Sequence, residues 1–343
     1  MTALSRKERI RLAIDHQAVD HLPTQVNYTQ SMGEKLAAHF NLPLASLPDR
    51  LGNHLLRLDL NYQPASPPVS NMNVDWWGVG WSTETEGYWP VYSPLAEIDD
   101  LDRWTWPDPT APYLLDTAER IIEQDGGRHF LAPNFGFALF ERAWSLRGYE
   151  KLNIDLALNP GFVSELLERI TEIQIALARR YLKLGVDGGY FGDDYGAQKG
   201  MLFSPRTWRE LFKPRLKRLF DVFRLEGLPV ILHSDGDIAP ILPDLVEIGL
   251  SVLNPVQPEV LDFQWLKDNF GQRLAFYGGI STQSALPFGT PAGVRSAARH
   301  AMQMLASGGT GLVLAPSHRL TADIPVPNVE AMLEIFTELE GNG

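Results

Sequence analysis

The side chains best suited to chemistry cluster in LPVILHSDGDIAPILPDLVEIGLSVLNPVQ, residues 228–257. An apolar run, Pro229 to Leu232, delivers His233 and Asp235 into a loop turned by glycine, and a second apolar run ends on Asn254. An imidazole and a carboxylate two residues apart serve as an acid–base pair, as metal ligands or as a loop anchor. The spacing leaves all three open. With a distant histidine, the pattern supplies two nitrogens and one oxygen, a permissible open site for zinc or another divalent metal.

The same placement recurs along the chain. Asn27, Asn134, Asp193, Asp194, Ser281 and His318 each fall where an apolar, strand-like run stops. Side chains that follow strand after strand converge when the strands are parallel and close into a barrel, because the carboxyl ends then share one mouth. Such a mouth would hold three carboxylates and two imidazoles. Close carboxylates push one another's proton affinity upward, which yields an acid usable near neutral pH. Gln198 and Asn254 are expected to orient substrate. Glu141 and Arg142 fall near the mouth on the helix after a strand, and they carry less weight. Asp193 or Asp194 could instead cap local backbone.

The elements that must position these groups alternate. Helices are expected over residues 4–15, 31–40, 47–58, 114–124, 138–147, 150–156, 160–183, 205–226, 239–248, 262–269, 291–306 and 327–340. Strands are expected at 21–26, 129–132, 186–191, 229–232, 251–253, 274–277 and 311–315. Asn159-Pro160, Ser204-Pro205 and Thr290-Pro291 read as helix starts, a polar cap followed by proline in the first turn. Strand–helix alternation implies a parallel sheet. The predicted fold is α/β, a TIM (β/α)8-like barrel over residues 1–343, with an N-terminal helical and Trp-rich excursion. That excursion, 62–112, holds six of the nine tryptophans. It reads as an irregular flap stapled down by aromatic burial, or as a wall for a flat aromatic ligand.

Composition narrows the function classes. The chain has 343 residues, is 44% hydrophobic and 21% charged, and carries a net charge of −12. No dense Lys/Arg run offers a surface for nucleic acid. No apolar run approaches the roughly 20 residues that span a bilayer, and the N-terminus reads as an amphipathic helix rather than a signal peptide. There is no cysteine, which removes thiolate nucleophiles, thiolate zinc ligands and disulfides from this chain, and fits a cytoplasmic protein. No G-x-G-x-x-G follows the first strand and no P-loop occurs, so a nucleotide site is not expected.

Several longer stretches carry a family resemblance: RKERIRLAIDHQAVDHLP, FERAWSLRGYEKLNIDLALNPGFVSELLERI, FGDDYGAQKGMLFSPRTWRELFKPRLK, LHSDGDIAPILPDLVEIGLSVLNPVQ and GLVLAPSHRLTADIPVPN. With these the chain resembles the uroporphyrinogen decarboxylase superfamily, which includes corrinoid-linked methyltransferases. The resemblance implies a TIM barrel with its site at the mouth, and a homodimer. Two branches compete. The decarboxylase branch needs no cofactor and holds the carboxylates of a tetrapyrrole with an arginine pair just after the first strand. Here that place reads Asn27-Tyr-Thr-Gln-Ser-Met-Gly33, without arginine. The methyltransferase branch places zinc on an H-x-C motif. Here it reads His233-Ser234-Asp235, oxygen in place of sulfur, with His318 as the third ligand available.

The expectation favoured by these residues is a methyltransferase or demethylase. It moves a methyl group from a small methoxylated or methylated donor to a corrinoid, held on a partner protein, or to tetrahydrofolate. His233, Asp235 and His318 would bind metal or act with Asp193 and Asp194 as catalytic groups. Asn27, Asn134, Gln198, Asn254 and Ser281 would contact substrate. The alternatives are a cofactor-free decarboxylase and a non-catalytic member that binds a tetrapyrrole or aromatic ligand.

Overall fold

The computed structural model describes residues 4–62, 71–84, 86–87 and 89–341. Seven parallel strands form one curled sheet in the order β1 (Leu55–Leu58), β5 (Phe130–Phe135), β6 (Gly189–Gly192), β9 (Val230–His233), β10 (Val252–Val256), β11 (Ala275–Ile280) and β12 (Leu312–Pro316). Every neighbouring pair in this sheet is parallel, and helices connect the strands from β5 onward.

The eighth stave is the segment 23–29. It pairs with β12 through a bridge at Thr24–Leu314 and with the loop after it through a bridge at Tyr28–Leu320. On its other side His54 N–H donates to Thr24 O at 3.2 Å. Side-chain amides complete this second seam. Gln25 Oε1 accepts from His54 N and Leu55 N at 3.1 and 2.9 Å, and its Nε2 donates to Leu55 O at 3.1 Å. Asn53 does the same for Val26, accepting from its N–H at 2.7 Å and donating to its carbonyl at 3.0 Å. Two amide side chains thus replace a strand ladder where the backbones do not pair directly, and the ring closes. The expected TIM-like barrel is the fold.

The barrel interior is filled by a compact apolar set that includes Ile10 and Ile14 from the first helix, Leu55, Phe130, Ile231, Val252 and Val313. Tyr190 and Tyr277 belong to the same set and form its polar-tipped upper layer. The larger core lies between the strands and the surrounding helices.

Three expectations fail. Residues 47–58 are not one helix: a turn of helix, Leu47–Arg50, ends at Gly52, and the residues from Leu55 are strand β1. An apolar run of this length suits either element, and the free edge of β5 decided it. The helix expected over 205–226 is two, Pro205–Leu211 and Lys213–Arg224, divided ahead of Pro214, which has no N–H to continue the ladder. Asn159 does not cap the helix Pro160–Lys183; its side chain donates to Asp155 instead. The caps at Ser204 and Thr290 are present, accepting from Thr207 N and Gly293 N at 3.0 and 3.2 Å.

Within the Trp-rich stretch 62–112, residues 63–70, 85 and 88 lie outside the described residues. The rest includes a three-stranded antiparallel sheet of β2 (Met72–Val74), β3 (Gly80–Ser82) and β4 (Pro90–Tyr92). Among the described residues no helix is long and apolar enough to cross a membrane.

The seam between the segment 23–29 and β1 gives two predictions. Gln25→Ala removes the acceptor of the buried Leu55 N–H and the side-chain donor to Leu55 O, leaving His54 N–H only its bond to Thr24 O, and chemical denaturation should show a loss of about 1–3 kcal/mol. His54, beside it, is held neutral by burial, which pushes its pKa down to about 3. Because the folded value lies below the ordinary value of about 6.5, its contribution is intact above that pH. As pH falls further the unfolded chain takes up the proton first. Stability should therefore decline from pH ~6.5 toward 3, and a His54→Asn variant should show a shallower acid slope.

Candidate active site

Two loops at the carboxyl ends of β6 and β9 lock together and set the site. Asp193 N–H donates to His233 O at 2.9 Å, Tyr195 N–H to Ser234 Oγ at 3.1 Å, and Asp237 N–H to Ala197 O at 2.9 Å. Asp235 N–H donates to the carboxylate of Asp194 at 2.8 Å. The backbones touch at Gly196 and Gly236: a Cβ on Gly236 would lie 2.5 Å from the Gly196 carbonyl carbon, and Gly236 has φ +79°. Both constraints require glycine there.

This interlock holds Asp235 between two histidines. His233 Nε2 and His318 Nε2 each lie 3.6 Å from one of its carboxylate oxygens. One ligand atom from each residue falls within 4.8 Å of the others. The tautomer of His233 follows from its neighbours. Asn254 Nδ2 donates to Tyr277 O at 3.2 Å, which turns Asn254 Oδ1 toward His233 Nδ1 at 2.7 Å. Tyr190 O–H also donates to that oxygen, at 2.8 Å. An amide oxygen can only accept, so His233 Nδ1 carries a proton and Nε2 is the ring nitrogen turned toward Asp235 and His318. His318 is kept neutral by its surroundings. Burial, with the nearby His233, Arg319 and Arg57, pulls its pKa down to about 4 against the opposing effect of Asp235. Two imidazoles and a carboxylate, with a hydrogen-bonded second layer behind one of them, fit a divalent cation.

The two histidines of the triad line a cavity of about 560 Å³. One wall is aromatic: Trp76, Trp77 and Trp81 from the Trp-rich stretch, with Phe135 and Phe137. Trp81 meets Phe137 edge-on at 5.1 Å. Trp77 is buried, so its role is packing, whereas Trp76 and Trp81 are half-buried and face the cavity. The stretch is fastened by Asp75, which accepts from Arg142 Nη1 at 2.8 Å, and the Arg142 guanidinium lies 5.0 Å from the Trp77 ring.

The expected site residues divide. Asn27, Asn134, Asp194, His233, Asn254 and His318 all line the cavity. Asn27 donates to Tyr277 Oη at 3.1 Å and Asn134 to Asp59 at 2.7 Å. Three others are not brought in. Gln198 is exposed at the tip of a small hairpin, β7 (Gly196–Ala197) with β8 (Gly200–Met201), and does not line the cavity. Ser281 is buried beside a separate recess, where its hydroxyl donates to Glu259 and accepts from Ser284 N–H at 2.8 Å.

Asp193 is fully buried behind the mouth. Its carboxylate accepts from Leu139 N, Phe140 N and Glu141 N at 3.0, 2.9 and 2.8 Å and from Tyr195 O–H at 2.5 Å. It caps the helix Phe140–Arg147, whose own first residues supply no side-chain cap. The capping alternative is the one the geometry displays.

Among the cavity residues that the sequence did not single out as site residues are Arg57, Arg319, Glu141 and Arg142. Arg57 was hidden by reading 47–58 as a helix, and Arg319 by its histidine neighbour. Glu141 and Arg142 were noticed but given little weight. Their signal was the helix start after β5, since the first turn of a helix capped from across the mouth points into it. Glu141 is pushed well above the usual carboxylate range by burial and by the charges of Asp194 and Asp193. Asp194 is pushed up by burial too, with repulsion from Asp235 opposed by His233.

A closed parallel barrel with its polar side chains gathered at the carboxyl strand ends defines a class of site found in many enzymes. The sequence profile of uroporphyrinogen decarboxylase (URO-D) matches residues 75–339, and the chain belongs to that family. A methyltransferase from Methanosarcina mazei has the same fold, with a TM-score of 0.75 at 21% identity, covering 98% of this chain and 99% of its own. A B12-independent methionine synthase from Shewanella sp. W3-18-1 aligns over 64% of this chain and 67% of its own, at 13% identity and a TM-score of 0.43. No curated protein matches the chain in sequence.

The two adjacent aspartates should separate experimentally. Asp193→Ala removes the acceptor of four buried donors and should cost about 3 kcal/mol or more in denaturant unfolding. Asp235→Ala, at the partly exposed triad, should leave stability within about 0.5 kcal/mol of the parent.

Proposed function

We propose that this protein is a methyltransferase or demethylase that takes a methyl group from a small methoxylated or methylated aromatic donor. The observation that carries the reading is the His233–Asp235–His318 triad at the foot of an aromatic-walled cavity. URO-D family membership and the full-length fold shared with a methyltransferase support it. The acceptor in this reading is a corrinoid, carried by a partner protein, or tetrahydrofolate. The working form is a cytoplasmic homodimer.

In the transfer, the bond from donor oxygen to methyl carbon breaks and the methyl carbon bonds to the acceptor's nucleophile. The electron pair stays on the donor oxygen, which must be neutralised. A divalent ion such as zinc, when held by His233, Asp235 and His318, would supply Lewis acidity at that oxygen. The chain's own residues do the rest. Asn254 and Tyr190 fix the His233 ring, so its Nε2 does not rotate away from Asp235. Trp76 and Trp81 offer flat faces to the donor ring and displace water from it. Glu141, whose surroundings favour the neutral acid, can hold the proton that the leaving oxygen needs.

The cofactor-free decarboxylase is the second reading, favoured by one observation. The arginines missing after the first stave are replaced from elsewhere, since Arg57, Arg142 and Arg319 all reach the cavity. They remain few for a tetrapyrrole with eight carboxylates, and Arg142 is already paired with Asp75.

Metal analysis of protein purified without added metal is the first test. Near-stoichiometric zinc is expected, reduced at least tenfold in Asp235→Ala and by about 10–100-fold in affinity in Asn254→Ala. Methyl transfer from methoxylated arenes to cob(I)alamin should follow the metal. Folded, metal-loaded protein that turns over no donor in a broad panel would refute the reading, and carbon dioxide release would favour the second one.

A further inference from the structure

We infer that the cavity takes its substrate as an aryl carboxylate, with the carboxylate held by Arg57 and Arg319 and the ring laid against Trp76 and Trp81. The inference rests on the proposed reading of this mouth as the place where a small aromatic donor binds, and it adds the charge that the donor carries.

The cavity has two unlike sides. Trp76, Trp81 and Phe137 form an apolar side. At the strand ends the lining is cationic: Arg57 belongs to β1, and Arg319 follows His318 in the loop after β12. These two staves flank the segment 23–29 in the closed ring, so the two cations approach the mouth from either side of one stave.

Other charged groups on the cavity wall have roles of their own. Arg142 is engaged by Asp75 and lies against Trp77, so it fastens the aromatic stretch. Asp59 accepts from Asn134. Glu141 accepts from the backbone N–H of Asp194 and is favoured as the neutral acid, and Asp194 accepts from Asp235 N–H. Arg57 lies 5.2 Å from the centre of the Tyr190 ring. Arg57 is also hydrogen-bonded to Tyr190, and a guanidinium carries five N–H donors in one plane, the geometry that receives a planar carboxylate through two hydrogen bonds. A guanidinium stays protonated at any working pH, and a charge on a partly dehydrated wall favours an opposite charge in the ligand. A volume of about 560 Å³ suits a substituted single ring with its carboxylate.

The test compares 4-methoxybenzoate with its neutral isostere 4-methoxybenzamide by isothermal titration calorimetry, using the full chain without corrinoid. The acid should bind about tenfold tighter or better. Arg57→Gln and Arg319→Gln should each cut that preference several-fold while leaving the benzamide affinity nearly unchanged. Equal binding of acid and amide by the parent protein would overturn the inference, as would failure of both to bind at millimolar concentration. A preference that survives both substitutions in folded variants would overturn the assignment to these arginines. Tetrahydrofolate that competes with 4-methoxybenzoate for the arginines would move the anion from donor to acceptor, and also overturn it. Preference for the acid without methyl transfer to cob(I)alamin would count against the proposed reaction and leave the aryl carboxylate standing, so the two failures are distinguishable.

Discussion

The backbone contact between the loops after β6 and β9 is the constraint on which the rest of this mouth depends. Gly196 and Gly236 approach so closely that neither position has room for a side chain. That approach brings Asp194 to the Asp235 N–H, Ser234 to the Tyr195 N–H, and the Asp235 carboxylate between His233 and His318. A loop carrying a metal-ligating or acid–base carboxylate would ordinarily be free to swing. Here its main chain is hydrogen-bonded on the neighbouring strand's loop, so the carboxylate is positioned before any ligand arrives.

The four acidic side chains around this contact show how environment divides roles among like groups. Asp193 and Asp194 are consecutive, so their side chains leave the end of the strand in opposite directions. One turns outward into the helix layer, where three backbone N–H groups and a tyrosine hydroxyl receive it. The other turns into the mouth. By holding the start of the helix Phe140–Arg147, Asp193 also sets Glu141, whose N–H it accepts and whose carboxyl faces the cavity. Asp193 is thus a positioning residue for the acid it was expected to be.

A second layer does the same for the imidazoles. Asn254 sits at the end of β10 with its oxygen committed to His233 and Tyr190 and its nitrogen to the Tyr277 carbonyl. Tyr190 and Tyr277 belong to the packed interior of the barrel. The ring of His233 is therefore oriented through hydrogen bonds anchored in the core, and its orientation is as rigid as that core.

Much of this was legible in the chain itself. Alternating apolar runs and helical stretches imply a parallel barrel, because strand ends that each carry a polar residue can satisfy them only in a shared mouth. The H-x-D spacing and the strand-terminal position of His318 marked the triad for the same reason. Period and punctuation are local properties, and local properties survive in one dimension. Tertiary structure decided what depends on partners distant in the chain. Leu55–Leu58 became a strand because β5 offered it an edge, which carried Arg57 into the cavity. Gln25 and Asn53 closed the ring with side-chain amides that no periodicity announces. Ser281 and Gln198 met the same sequence criterion as His318, yet face a separate recess and the solvent. Which way a side chain turns at the end of a strand is set by the neighbour that receives it, and that neighbour is supplied only by the fold.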